Sequence, residues 1–276
     1  MKFIIHSFNF SKQWGGVLVL HKLGQILSDI GYEVYLIANN TIDNSKAKLI
    51  SEEYAKTIAN DDKTITIYPE VITGNPLNAK KVVRWILYHP GINGGDKIYS
   101  NDELIFTYSD YFTANTIYEG SPKLFIFDSH KDFFKNYNNI RNNLTCSLVK
   151  KGSNKNLNIL TNTHIIDQFL NGPEINNNLL KIFNQYSTFI SLDHATYHST
   201  QAALCGCISI VIPEEGVNKE QWQESLPLMK YGVAYGLDDI QWAIETQPLV
   251  YKHLTDLEEV SKNTINNFLK IIKDNV

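Results

Sequence analysis

The chain is short of the residues that would make it secreted, metal-bound or nucleic-acid-binding. It has 3 cysteines in 276 residues, an odd count with no disulfide framework. Cys205 and Cys207 flank Gly206 and form half of a metal-ligand set. No second Cys or His cluster at ligand spacing completes it, so the cysteines read as small buried residues and no metal is expected. Arginine is scarcer still, with only Arg84 and Arg141. Net charge is −4, and lysine is scattered apart from small groups at Lys80-Lys81-Arg84 and Lys150-Lys151-Lys155. No global field therefore draws the chain to nucleic acid or to an anionic membrane. No apolar run approaches a membrane span, so no transmembrane segment is expected. In the opening MKFIIHSFNF the apolar run is too short for a signal peptide, and His6, Ser7 and Asn9 interrupt it. A G-x-G-x-x-G fingerprint is missing, which argues against a nicotinamide enzyme. The expectation is a reduced, cytoplasmic protein.

What is present suits an ordinary globular chain. Apolar content is 43% and charged content 20%, and 276 residues are enough for two compact domains of modest size or one large one. The pattern opens with a strand over residues 2–8 and a polar segment ending in Gly15-Gly16. Val17, Leu20, Leu23 and Leu27 then recur at helical spacing, and Gly31 is placed to end that helix. EVYLIA at 33–38 makes the next strand. This is a β–loop–α–β unit of Rossmann-like length. Paired glycines let the backbone turn tightly and approach a ligand, although any tight turn can use them.

Further along, the pattern predicts a helix over 46–58 and strands over 64–68, 82–88, 102–108 and 123–127. Asp128-Ser129-His130 follow the last of these. Ligands bind at the carboxyl edge of an open α/β sheet. His130 is therefore a candidate acceptor-side residue or general base, or else a plain surface histidine. The polar stretch after Phe133 marks a domain change. A new strand over 144–149 runs into Lys150, Lys151, Gly152 and Ser153, and two lysines there suit a diphosphate. A short helix over 164–170, another over 178–186, one near 219–225 and a last helix over 254–273 complete the pattern. Trp222 fits either the core or a cleft lining.

The stretch that organises the second half is FISLDHATYHSTQAALCGCISIVIP, residues 189–213. It reads as strand, polar loop, helix, strand. Thr196 is placed to cap the helix, Ser199 and Thr200 sit in its first turn, and Gly206 ends it. The helix start offers backbone N–H groups and a positive dipole end, where a phosphate is at home.

Asp193 stands eight positions before Gln201, with AALCG directly after it. This resembles the E-x7-E element of retaining GT-B glycosyltransferases, family 4. Gly15-Gly16 with its helix and GYEVYLI is similar to the opening of that family. PEVITGNPLNAKKVVRWILYHPG looks like a marker of small bacterial and viral GT-B sequences, with Arg84 as a structural pin. The resemblance implies a GT-B α/β fold: two Rossmann-like domains with parallel sheets facing a central cleft. Residues 1–138 would be the acceptor side and residues 139–276 the nucleotide-sugar side, with the last helix crossing back.

By position, Asp193 would lie near the donor sugar. His198 and Ser199, with Thr196 and Thr200, would hold the diphosphate beside Lys150, Lys151 and Gly152. Gln201 would accept a ribose hydroxyl where the family has an acidic residue; it lacks that charge. The implied activity is transfer of a sugar from a UDP- or GDP-linked donor to a glycan, lipid-linked or protein acceptor, without a metal and with retention. The alternative is a nucleotide- or sugar-binding accessory protein on the same scaffold.

Overall fold

The computed structural model describes every residue except 12–13, 150–159, 171, 173 and 276. The chain divides into two compact units: Met1–Phe127 with Glu258–Val276, and Asp128–Leu257. The division at 127/128 lies before the polar stretch where the sequence suggested 138/139. Phe134 already belongs to the apolar cluster of the second unit, with Cys146, Phe183 and Phe189.

Unit 1 runs β1 (Lys2–His6), α1 (Gly15–Asp29), β2 (Glu33–Ile37), β3 (Lys48–Ile50), α2 (Glu52–Ile58), β4 (Thr64–Pro69), β5 (Val82–Ile86) and β6 (Leu104–Thr107). Its strands form one parallel sheet in the order β3-β2-β1-β4-β5-β6. That is the Rossmann order, which reverses between β1 and β4. Unit 2 runs β7 (Asn142–Leu148), β8 (Thr163–Ile165), α3 (Ile175–Gln185), β9 (Tyr186–Ser191), α4 (His198–Leu204), β10 (Ile208–Val211), α5 (Lys219–Ser225), β11 (Val233–Tyr235) and α6 (Ile240–Thr246). Its parallel sheet has the order β11-β10-β9-β7-β8. This is the other doubly wound order, reversing between β7 and β9. The last helix, α7 (Val250–Asp274), starts within unit 2 and belongs to unit 1 from Glu258 on. Two parallel Rossmann-like sheets in one chain form the α/β architecture expected for GT-B.

The apolar periodicity of α1 buries Leu20, Leu23 and Leu27 in the main core of unit 1, where Phe268, Leu269 and Ile272 of α7 join them. Gly31 ends α1 at φ +98, with Tyr32 N–H bonding Leu27 O at 3.0 Å and Gly31 N–H bonding Ser28 O at 3.1 Å. This paired pattern needs a left-handed residue, hence glycine. Gly206 ends α4 in the same way, at φ +92.

The structure departs from the sequence pattern in three elements. The helix expected over 46–58 begins only at Glu52, because Ser51 caps it by accepting the Tyr54 N–H and Lys48–Ile50 pair with β2 instead. The expected strand over 123–127 touches the sheet only through a Thr107–Lys123 bridge. Side chains of α7 serve its backbone: the Thr264 and Ser261 hydroxyls accept from Phe125 N–H and Phe127 N–H, both at 3.1 Å. The helix expected over 164–170 is the short β8 strand followed by a 3-10 turn, Asp167–Leu170.

Both arginines are structural. Arg84 is fully buried. It grips Glu103 at two points, 2.8 and 3.0 Å, and donates to the carbonyls of Ile72 at 2.6 Å and Gly74 at 2.8 Å. Its guanidinium lies between the Tyr68 and Tyr99 rings, 5.1 and 4.8 Å from their centroids. Asn75 accepts the Tyr68 hydroxyl and the Ala79 N–H, each at 2.9 Å. The PEV–NPLNA–VVRW stretch is thus a polar lock on the loop after β4. Arg141 donates to the carbonyls of Tyr186, at 2.8 Å, and of Cys205, joining the start of β9 to the end of α4.

Candidate functional site

In unit 2 the sheet order reverses beside β9, so the β9–α4 connection leaves the sheet where doubly wound folds bind ligands. Asp193, Thr196, His198, Ser199, Thr200 and Gln201 all lie on this connection or the helix it opens. Asp193 Oδ1 accepts the Ala195 N–H at 3.0 Å, and the Ser191 hydroxyl bonds the Asp193 carbonyl at 2.8 Å. Trp222 fixes the next residue: its indole N–H donates to the His194 carbonyl at 2.9 Å, and its ring stacks on Tyr235 at 4.8 Å. Trp222 is therefore core, only 1% exposed. His194 Nε2 faces Glu214 at 2.9 Å. The Tyr197 hydroxyl donates to the Ser129 carbonyl at 2.7 Å, which ties the loop carrying His130 to the residue before α4. His130 itself is half-exposed at φ +50, with Nδ1 3.8 Å from Asp128 Oδ1.

Two local expectations change. Thr196 does not cap α4 with its side chain; Tyr197 holds the cap position and no side-chain bond is made there. The helix start also offers fewer free donors than a bare terminus, because Ser199 N–H bonds Thr196 O at 3.2 Å and Thr200 N–H bonds Tyr197 O at 3.1 Å. A tightened first turn of this kind spends its own N–H groups. The polar side chains then matter more. The Ser199 hydroxyl is buried without a hydrogen-bond partner, a state that costs about 1–3 kcal/mol until a partner arrives. The Thr200 hydroxyl bonds Leu228 O at 3.2 Å. Gln201 is nearly buried, and its Oε1 lies 2.7 Å from His198 Nδ1. Gln201 therefore orients the His198 ring. Lys150, Lys151 and Gly152 follow β7 after Val149 in sequence and lie outside the described residues.

In unit 1, Gly15 and Gly16 are the first two residues of α1, both at negative φ. A Cβ at Gly15 would meet nothing within 4 Å, and one at Gly16 would meet only Leu87 Cδ1 at 3.7 Å. Neither a tight turn nor a neighbour demands glycine here, which leaves room above the helix start. At the same carboxyl edge stands His6, the last residue of β1. Its Nδ1 is shielded and without a partner. Burial holds its pKa below the usual histidine value; Glu52 pulls the other way, and Arg84 adds a smaller lowering. Glu70, directly after β4, is 4% exposed and accepts the Leu87 N–H at 3.0 Å. Neither residue has a spacing signal in the sequence; only the pairing of β1 with β4 sets both at the reversal point.

Burial raises the Glu70 pKa above its ordinary 4.5, against smaller lowering by the Leu87 N–H, its own N–H and Arg84. The folded chain thus holds this proton more tightly than the unfolded chain. The stability it contributes is full below pH 4.5 and is lost as pH rises through the raised value. Glu70→Gln should therefore melt higher than the parent at pH 8, with the gain fading as pH falls through the raised value and gone below 4.5 in a series of thermal melts. An equal difference at pH 8 and pH 4 would contradict a buried, ionised Glu70.

All three cysteines are buried and free, and burial pushes the Cys205 and Cys207 thiols up to about 12. Among the described residues, no group of three or more His, Cys, Asp and Glu side chains could hold a metal ion, and no helix is long and apolar enough to cross a membrane.

No protein-family model and no curated protein sequence matches the chain. Among solved structures, MurG from Acinetobacter baumannii is similar over 99% of this chain and 100% of its own, at 10% identity and a TM-score of 0.36. A likeness that slight says nothing about chemistry, and the fold rests on the two strand orders.

Proposed function

We propose that the chain is a GT-B glycosyltransferase, similar to family 4, with a nucleotide-diphosphate sugar bound by unit 2 and the acceptor by unit 1. One observation carries this. At the reversal point of the unit 2 sheet, a single connection gathers Asp193, His198, Ser199 and Gln201, and Tyr197 ties the His130 loop to it. His198 and the unspent Ser199 hydroxyl suit the diphosphate, with Lys150 and Lys151 supplying charge. Asp193, held in its turn by Ala195, would lie near the donor sugar. His130 would serve the acceptor side. Gly15 and Gly16 leave the start of α1 open to a ligand. The proposal includes no protein-held metal. A retaining course, with the diphosphate leaving on the face the acceptor attacks, is what the family resemblance implies.

Gln201 acts here through His198. Gln201→Glu should retain or tighten UDP or GDP binding, because an ionised partner favours a charged imidazole beside the diphosphate. Gln201→Ala should weaken it by about 0.5–1.5 kcal/mol, the worth of one neutral hydrogen bond. Calorimetry with the nucleoside diphosphate and its nucleoside separates the roles. Loss for the diphosphate alone places Gln201 behind His198; equal loss for both places it on the ribose. If no nucleoside diphosphate raises the melting temperature of the parent chain at millimolar concentration, the proposal fails, since a bound ligand must stabilise. Binding without transfer or hydrolysis of any nucleotide sugar would instead fit an accessory protein.

A further inference from the structure

Unit 1 holds a second feature, in the loops that follow Leu87. The loops after β5 and after β6 line an open cavity of about 550 Å³, within the size range of small-molecule sites. Ile92, Ile98 and Ile117 line it and are 67–73% exposed. Contiguous apolar surface of this kind, left in water, marks a place where something binds. Tyr118 forms part of the wall and is fixed from behind: it stacks on Tyr99 at 5.1 Å, and its hydroxyl accepts the Tyr99 N–H at 2.7 Å. Tyr88 and His89 close another side, held edge-on at 5.0 Å.

The polar chemistry of the lining narrows the occupant. Lys97 is the one lysine or arginine among the lining residues, beside the His89 ring and the Tyr88 and Tyr118 hydroxyls, and no carboxylate or carboxamide side chain is among them. Lys97 has no carboxylate partner among the described residues, and its stem packs so closely on Gly91 that a Cβ there would come 2.5 Å from Lys97 Cγ. The carboxylate and amide side chains that commonly bond sugar hydroxyls are not among the lining residues. The Thr116 hydroxyl is already bonded to Thr113 O at 2.7 Å. Walls of three isoleucines and aromatic rings beside one lysine suit a hydrocarbon chain ending in an anion.

We propose that this cavity binds a single-chain amphiphile with an anionic head, the chain lying among Ile92, Ile98 and Ile117 and the head on Lys97. The site stands independently of sugar transfer. Under the glycosyltransferase proposal, such a molecule is a lipid-type acceptor.

Calorimetry on the full chain tests this with decyl phosphate below its micelle concentration. A decyl hexaoxyethylene ether supplies the same chain with a neutral head, inorganic phosphate the head alone, and maltose a sugar. Decyl phosphate is expected to bind saturably at one site, about tenfold or more tighter than the ether, with phosphate and maltose showing no binding. Lys97→Gln should bring decyl phosphate down to the ether's affinity. Ile98→Asp and Ile117→Asp, both at exposed positions, should abolish binding of both amphiphiles while the thermal melt stays unchanged. Absence of saturable binding would overturn the proposal. So would affinity unaffected by both aspartates, phosphate binding as tightly as decyl phosphate, or maltose binding in place of the amphiphiles. Each of these results is read without any nucleotide, so failure of the sugar-transfer proposal does not touch it.

Discussion

Replacing Arg84 with methionine should cost unit 1 about 3–5 kcal/mol, the usual penalty for leaving one partner of a buried ion pair alone. Arg84 is fully buried and Glu103 nearly so, with side-chain exposures of 0% and 7%. Methionine fills similar volume but abandons the Glu103 carboxylate and the carbonyls of Ile72 and Gly74. It also removes the cation held between Tyr68 and Tyr99. Arg84→Lys should recover only part of the loss, because an ammonium cannot make the two-point contact with Glu103 and still reach the loop carbonyls. Arg84→Met combined with Glu103→Leu should recover much more, since removing both charges leaves no orphan. Urea melts, with hydrogen exchange on the amides of β4 and β5, would read these effects. A loss below about 1 kcal/mol for Arg84→Met would show that the loop after β4 holds without its lock.

Trp222→Ala should destabilise unit 2 by a similar amount, about 3–5 kcal/mol, through loss of a large buried ring. Trp222 fills a cluster with Val211, Met229 and Val233. Its second task separates packing from function. The indole N–H holds the His194 carbonyl, one residue past Asp193. Trp222→Phe keeps an aromatic ring against Tyr235 but has no N–H to give. It should cost less stability, about 1 kcal/mol for the missing bond beyond the lost ring volume, and should also weaken nucleoside diphosphate binding as the β9–α4 connection loosens. Stability comes from denaturant melts and affinity from calorimetry. If Trp222→Phe binds nucleotide as tightly as the parent, the connection is held by Asp193, Ser191 and Tyr197 alone.

The family resemblance rested on three stretches, and the structure explains them unequally. The PEV–NPLNA–VVRW stretch is a structural lock, so its resemblance speaks for the fold rather than for chemistry. Gly15 and Gly16 sit at the start of α1 with no steric need for glycine. The D-x7-Q stretch does form strand, connection and helix at a reversal point. Within it the geometry redistributes the roles: Thr196 is no cap, the first N–H groups are spent, and Gln201 is engaged by His198.

Local chemistry alone determined much of this protein. Apolar spacing set α1, and alternating β-rich runs set β1, β2 and β9. Gly31 and Gly206 set two helix ends, because a left-handed cap depends only on the residue that occupies it. What needed the tertiary structure was every feature whose partners lie far apart in sequence. Residues 123–127 look like a strand, yet α7 side chains some 134 to 139 residues away satisfy their backbone. Lys48–Ile50 look helical, yet pairing with β2 makes them a strand. His6 and Glu70 become neighbours of a reversal point only when β1 pairs with β4. The cavity of unit 1 exists because residues 88–98 and 116–118 meet across a fold. Periodicity and caps act over a few residues and are written in the order of the chain. Pairing, burial and the fate of a lone arginine depend on which surfaces meet, and no local pattern carries that.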